Sequence, residues 1–370
     1  MISLLAAIAL SPRPLVLAHY MPWYSAPPVS KEWGWHWTMN HFDPSKKIDG
    51  KRQIASKYYP LIGPYDSNDP DVLECQALLM KFAGLDGAII DWYGYEDVYD
   101  YKLNHRNTVH FIEYLKKANL KFAICFEDQT LPNLIKFGKV KEENAALYGR
   151  SLLKWMDKNW FASPSYVKLN GKPVMLVFGP QYYKAPQWKE LTAGIDIDVF
   201  GVMGDHGFAT GGFAWPNPRG GTERADAEFE SFYKRSPAWK AFIAGAYPRF
   251  NDIYAEAKVH DSWGRVEDRA GRTLIGTLRQ ALASKAPLIQ VATWNDWGEG
   301  TMIEPSVENG YRDLEILQSL RRGNMAYSAA DLRLPVRLLR LRKSGASRTR
   351  LDKAAELLFQ GKTAPAKELL

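Results

Sequence analysis

Only two cysteines occur in 370 residues, which excludes a disulfide-stapled scaffold. Cys75 and Cys125 belong to no C-x-x-C pair and no metal-ligand spacing, and both read as core thiols. No stretch reaches the roughly 20 consecutive apolar residues of a membrane span, so none is expected. The chain carries neither a G-x-x-x-x-G-K-[ST] loop nor a G-x-S-x-G elbow, which disfavours nucleotide-driven chemistry and serine hydrolysis. His19, His36 and His206 fall in no compact metal motif, and the expectation is that neither a metal nor another cofactor is required. Basic charge is also scarce where a polyanion would need it. The net charge is +7, but residues 331–370 hold ten Lys/Arg against four Asp/Glu, so the rest is nearly neutral and no nucleic-acid partner is expected for it.

What the chain has instead is aromatic side chains, 13% of all residues with 13 Trp and 19 Tyr. Many fall in polar, Gly/Pro-rich stretches where a core would not place them, a distribution that favours sugar rings as ligands over nucleotides. Met1–Leu10 has the apolar character of a secretory signal core without its basic leader. Residues 1–14 are therefore read as the remnant of a signal peptide, and the protein as exported to the periplasm, cell surface or medium.

Strand-like and helix-like stretches alternate. Strand candidates are 15–20, 87–92, 121–126, 173–178, 199–203, 241–246 and 288–293, and Asp71 to Phe82 has helical spacing with Gly84 placed to cap it. Alternation of this kind specifies a parallel sheet. The fold class expected is α/β, a (β/α)8 TIM-like barrel spanning 15–330 with long strand-to-helix loops. Seven strands are visible, and the eighth is either Met302-Ile303 or a strand within 205–240. Residues 331–370 form a basic helical extension, read as solvated and dispensable for catalysis; a helical hairpin packed on the barrel, the start of a helical repeat, and contact with an anionic surface or nucleic acid are the alternatives.

Chemistry gathers at the strand ends. The apolar run Pro287–Thr293 delivers Trp294-Asn295-Asp296-Trp297-Gly298-Glu299, where two carboxylates three residues apart lie between indoles and glycines. Carboxylates in unlike environments take different pKa values, so one stays protonated as an acid while the other stays ionised as a base, as breaking a glycosidic bond requires. The plainer reading is a polar loop with Glu299 capping a helix. Preceding strand ends add His19 with Tyr20, Asp91 with Trp92, Glu127 with Asp128, Asp205 with His206, and Tyr247 with Arg249, although Asp91 could equally cap a helix.

These residues resemble glycoside hydrolase families 71 and 99 over most of 15–322. Tyr20-Met21-Pro22-Trp23-Tyr24 with His36-Trp37 is similar to the opening segment of family 99, the endo-α-mannosidases and endo-mannanases. Glu127 is similar to that family's H-x-E acid with Cys125 on the histidine side, and Trp215 and Tyr247 fall in similar glycine-rich segments. Trp294 to Glu299 resembles the W-N-D-[YW]-G-E signature of family 71 α-1,3-glucanases, while Gly300-Thr301 and Ile303-Glu304-Pro305 follow family 99. The resemblance implies an endo-acting hydrolase of α-mannan or α-glucan. Glu299 would be the acid and Asp296 the base, with a substrate surface of Tyr20, Trp23, Tyr24, His36, Trp37, Asp91, Trp92, Glu127, His206, Trp215, Tyr247, Arg249, Trp294 and Trp297. In family 99 the base is a glutamate acting through the substrate's own 2-hydroxyl, so aspartate here implies room for an activated water. The alternative is a catalytically inactive barrel that binds polysaccharide and presents it to a partner.

Overall fold

A computed structural model describes residues 13–321 and 326–370. The signal-like residues 1–12 lie outside the described residues, so the reading of that segment is untouched. Eight parallel strands close on themselves: β1 (Leu15–Tyr20), β2 (Gly87–Trp92), β3 (Lys121–Phe126), β4 (Lys172–Val177), β5 (Asp198–Val202), β6 (Gly211–Phe213), β7 (Ile243–Ala246) and β8 (Leu288–Val291). Closure is made by β8 against β1, with Leu15 opposite Leu288 and Ala18 opposite Val291. The outer ring includes α1 (Pro70–Ala83), α2 (Tyr101–Lys117), α3 (Ala145–Met156), α4 (Ala185–Thr192), α5 (Gly221–Arg235), α6 (Arg272–Ala283) and α7 (Arg312–Leu320). The barrel is therefore the (β/α)8 type expected.

The eighth strand is β6, inside the 205–240 segment. It is three residues long, and its only recorded partner on β7 is Ile243, opposite Phe213. Two of its residues are glycines because the backbones crowd there: a Cβ on Gly211 would collide with the Ala241 carbonyl, and one on Gly212 would lie 2.7 Å from the Gly204 nitrogen. No helix separates it from β5. A strand this short, without branched residues, leaves no periodic signal.

Alternation along the strands sorts side chains into two layers. Leu17, Ile89, Ala123, Cys125, Leu176, Phe200, Phe213, Ile243 and Leu288 pack together inside the barrel. Val16, Ala18, Tyr20, Ile90, Trp92, Ile124 and Phe126 face the helices. Above the apolar interior, His19, Asp91, Cys125 and Gln290 form a buried polar layer at the C-terminal mouth.

α1 starts and stops where its sequence dictates. The Asp69 side chain accepts from the Asp71 amide, Pro70 occupies the first turn, and Gly84 ends the helix at φ 80°, conformations each residue type favours. The far side of α1 is covered by the C-terminal extension, folded as α8 (Leu334–Lys343), α9 (Arg348–Phe359) and α10 (Thr363–Leu369). Leu332, Val336, Leu338, Leu351 and Leu358 belong to the same apolar layer as the barrel's outer face. Part of its charge is also met. Arg342 binds Glu74 at 2.8 Å, Lys343 binds Asp69 at 2.6 Å and Arg348 binds Asp71 at 2.9 Å. The extension is helical as expected but not a solvated appendage, because its leucines join the barrel's outer layer and the start of α1 takes up Arg342, Lys343 and Arg348. Among the described residues no helix is long and apolar enough to cross a membrane.

Candidate active site

The loop that follows β8 is held from three sides. Asn295 accepts from the Met21 amide at 2.8 Å and donates to the Met21 carbonyl at 3.0 Å. The Tyr24 hydroxyl donates to the Asn295 carbonyl at 2.9 Å and accepts from the Trp297 amide at 3.0 Å. From the other side, Asn251 and Ile253 donate backbone N–H groups to the Glu299 and Gly298 carbonyls at 2.8 and 3.0 Å. Beneath it the buried Glu304 carboxylate accepts from Tyr65 and Gln76, each at 2.7 Å, and from the Trp297 indole at 3.2 Å. Glu304 thus fixes the ring of Trp297, the residue that follows Asp296. Sequence reasoning placed it in a motif without giving it this task.

Within the loop, Asp296 donates its amide to Thr293 Oγ1 at 2.8 Å, and its Oδ1 accepts from the Glu299 amide at 3.0 Å. Burial pushes the Asp296 carboxyl up to about 6, opposed by the Glu299 amide, the charge of His36 and the Gly298 amide. Glu299 is driven well above the ordinary carboxyl range by burial, then by the charges of Asp296 and Asp252. An ionised Asp296 thus favours a proton on Glu299. Asp252 and Tyr254, whose hydroxyl is raised by burial and then by the charges of Glu299 and Asp296, complete this wall. Strand-end reasoning stopped at Arg249, a few residues short of them.

Other expected residues converge. His36 stacks on Trp23 with ring centroids 4.1 Å apart and lies 3.4 Å from Asp100. Asp91 sits at the barrel mouth, raised to about 7 by burial, which the Tyr93 hydrogen bond opposes and the Asp296 charge reinforces. Glu127 accepts from Gln129 at 2.6 Å and from Gln181 at 3.3 Å. Trp215 turns its ring edge-on to His19 at 4.9 Å. A cleft of about 1050 Å³ runs outward, lined by Trp23, Trp33, Trp35, His36, Tyr93 and Tyr99. Asp296 and Glu299 are not on its wall, and His36 joins the two regions.

Several expected contact residues are elsewhere. Tyr20 and Trp92 follow His19 and Asp91 by one position and so point outward: Tyr20 bonds Gln76 and stacks on Phe111, and Trp92 packs against Trp155 and Trp160. Trp37, Trp294 and Trp297 are 0% exposed and serve the core, and Tyr24 orients the loop from beneath. Tyr247 packs on Phe229 and donates to Asp226. His206 is exposed, with Nε2 2.8 Å from the Val202 carbonyl oxygen. Arg249 is buried, paired with Asp313 and donating to the Met302 carbonyl at 2.7 Å. Arg249→Ala would leave Asp313 with Arg312 alone and the Met302 carbonyl without its donor, and a loss of about 1–3 kcal/mol is expected in denaturant melts. Unchanged stability with a raised KM would return Arg249 to the substrate surface.

A barrel with two buried carboxyls on one strand-end loop, near an aromatic cleft, is the arrangement of a glycoside hydrolase. Residues 13–210 match the model of Glycosyl hydrolase family 99, and the chain belongs to that family. It is 25% identical over 327 residues to the glycoprotein endo-alpha-1,2-mannosidase of Mus musculus, covering 78% of this chain and 67% of that one. The glycoprotein endo-alpha-1,2-mannosidase-like protein of Danio rerio is 22% identical over 328 residues, with coverage of 78% and 70%. Among solved structures, the family 99 endo-alpha-mannosidase of Bacteroides thetaiotaomicron shares the fold at a TM-score of 0.61 with 19% identity, over 84% of this chain and 98% of that one.

Proposed function

We propose that this enzyme cleaves α-mannan- or α-glucan-like chains internally, with Glu299 as general acid and Asp296 as base. The observation that carries the reading is the Glu299 amide on Asp296 Oδ1 at 3.0 Å, which ties the two carboxyl-bearing residues into one loop. Relatives whose names specify endo-alpha-mannosidases support the α linkage and internal attack. The cleft of about 1050 Å³ supports a chain of several rings rather than one sugar. A polymeric substrate also fits the export suggested by the N-terminal segment. The test is incubation with a panel of α-mannans and α-glucans, following new reducing ends and the fall in chain length. Binding without hydrolysis would make the protein a carbohydrate-presenting barrel instead.

The protonation states set the pH profile. Activity is expected to rise as pH climbs through about 6, where Asp296 ionises, and to fall at higher pH as Glu299 loses its proton. Because the acids interact, the two limbs belong to the set and not to single residues. A profile flat across the rising limb would remove Asp296 as base.

Stereochemistry follows from side-chain length. Inverting sites separate their carboxyl groups by roughly 6.5–9.5 Å to admit water, against roughly 5–5.5 Å in conventional retaining sites. Aspartate retracts the base by one methylene, so the first-formed product is expected to be the β anomer, seen by NMR before mutarotation. An α product would show instead that attack runs through the substrate's own 2-hydroxyl.

A further inference from the structure

The polar layer at the barrel mouth contains a constellation to which the proposed acid–base step at Asp296 and Glu299 assigns no part. His19, Asp91 and Cys125 occupy the penultimate positions of the adjacent strands β1, β2 and β3. One ligand-capable atom from each lies within 4.8 Å of the others. All three are almost fully buried, at 1%, 2% and 0% exposure.

The hydrogen bonds fix which atoms face inward. Gln290 donates its Nε2 to the Ala214 carbonyl at 3.2 Å, so its Oε1 is the group turned to His19 Nδ1 at 2.9 Å. Nδ1 must then carry the proton. Burial, opposed by the Gln290 bond, lowers His19 to about 4, so the ring is neutral and its Nε2 presents a bare lone pair. That atom stands 4.0 Å from Asp91 Oδ1, a buried oxygen with no hydrogen-bond partner. A ring nitrogen, an unpartnered carboxylate oxygen and a thiol thus converge, while Gln290 orients the imidazole as outer partners orient metal-binding histidines.

We propose that His19, Asp91 and Cys125 bind one borderline-soft divalent cation of the zinc type. The charge balances: a neutral imidazole, a carboxylate and a thiolate offset a 2+ ion, so no net charge is buried. Binding transfers the Cys125 thiol proton, and any proton on Asp91, to water, while Nε2, Oδ1 and Sγ each donate an electron pair to the ion. Bonds of about 2.0–2.3 Å would draw the ligand atoms to roughly 3.3–3.8 Å apart, within reach of small side-chain rotations. A fourth position would face the mouth, the route by which the ion enters.

The experiment uses the full chain after chelation and dialysis, titrated with Co²⁺ for its thiolate-to-metal absorption and with Zn²⁺ for affinity and stoichiometry. One ion per chain is expected, with a thiolate band retained in Cys75→Ser and lost in Cys125→Ser. Zn²⁺ affinity should fall at least about tenfold in Cys125→Ser and in Asp91→Asn. Asp91→Asn alone reads the site if the serine variant fails to fold. A band that follows Cys75, uptake unchanged by the ligand substitutions, or no uptake would each overturn the site.

Discussion

Glu299→Gln is expected to lower turnover on a polysaccharide by about two orders of magnitude or more, the usual cost of removing a general acid. The amide keeps the size of the side chain, and the loop anchors at Asn295, Asn251 and Ile253 do not involve the Glu299 carboxyl, so the thermal transition should stay in place. The discriminating measurement is a substrate with an activated aryl leaving group. That group departs with little protonation, so its hydrolysis should be partly spared. Equal losses on both substrates, or none on either, would take the acid role away from Glu299.

Deleting residues 331–370 is expected to abolish the folded barrel. The extension contributes Leu332, Leu334, Val336, Leu338, Leu339, Leu351 and Leu358 to the buried layer. At about 1.5–3 kcal/mol for each buried aliphatic side chain, their combined burial rivals the roughly 5–15 kcal/mol by which a whole domain is stable. Truncation also takes Arg342 from Glu74, whose carboxyl is already raised by burial and held in check by that guanidinium. Insoluble product or a collapsed melting transition is the expected result. A truncated chain that melts with the full one would restore the view that the tail is dispensable, which its segregated charge suggested. Composition showed ten cations at the C-terminus; it could not show that Asp69, Asp71 and Glu74 lie opposite them.

The limits of sequence reading have a common physical form. Long strands rich in branched residues, β1, β2 and β3, were legible to the residue. β6, with Gly211 and Gly212, was legible only as a segment in which a strand had to be found. At the site, the acids stand out in the sequence because carboxylates rarely collect at successive strand ends for packing alone. The rings beside them were misplaced because a strand end was treated as a point. Residues alternate across a strand, so if His19 and Asp91 look into the barrel, Tyr20 and Trp92 must look away. Asp252, Tyr254 and Glu304 escaped for a different reason, since their roles depend on contacts across the fold.

Asp296 and Glu299 share one loop, and the amide of one is bonded to the carboxylate of the other. In many barrels the two acids of a hydrolase arrive on different strands, and their separation then depends on how the whole cylinder is sheared. Here the separation is a local property, transmitted through three peptide units. Relaxation elsewhere in the barrel can enlarge the cleft or change its wall without altering the spacing of acid and base. The backbone spacing of the proposed acid and base is therefore a property of one short loop, while Met21, Tyr24, Asn251 and Ile253 set how that loop is presented.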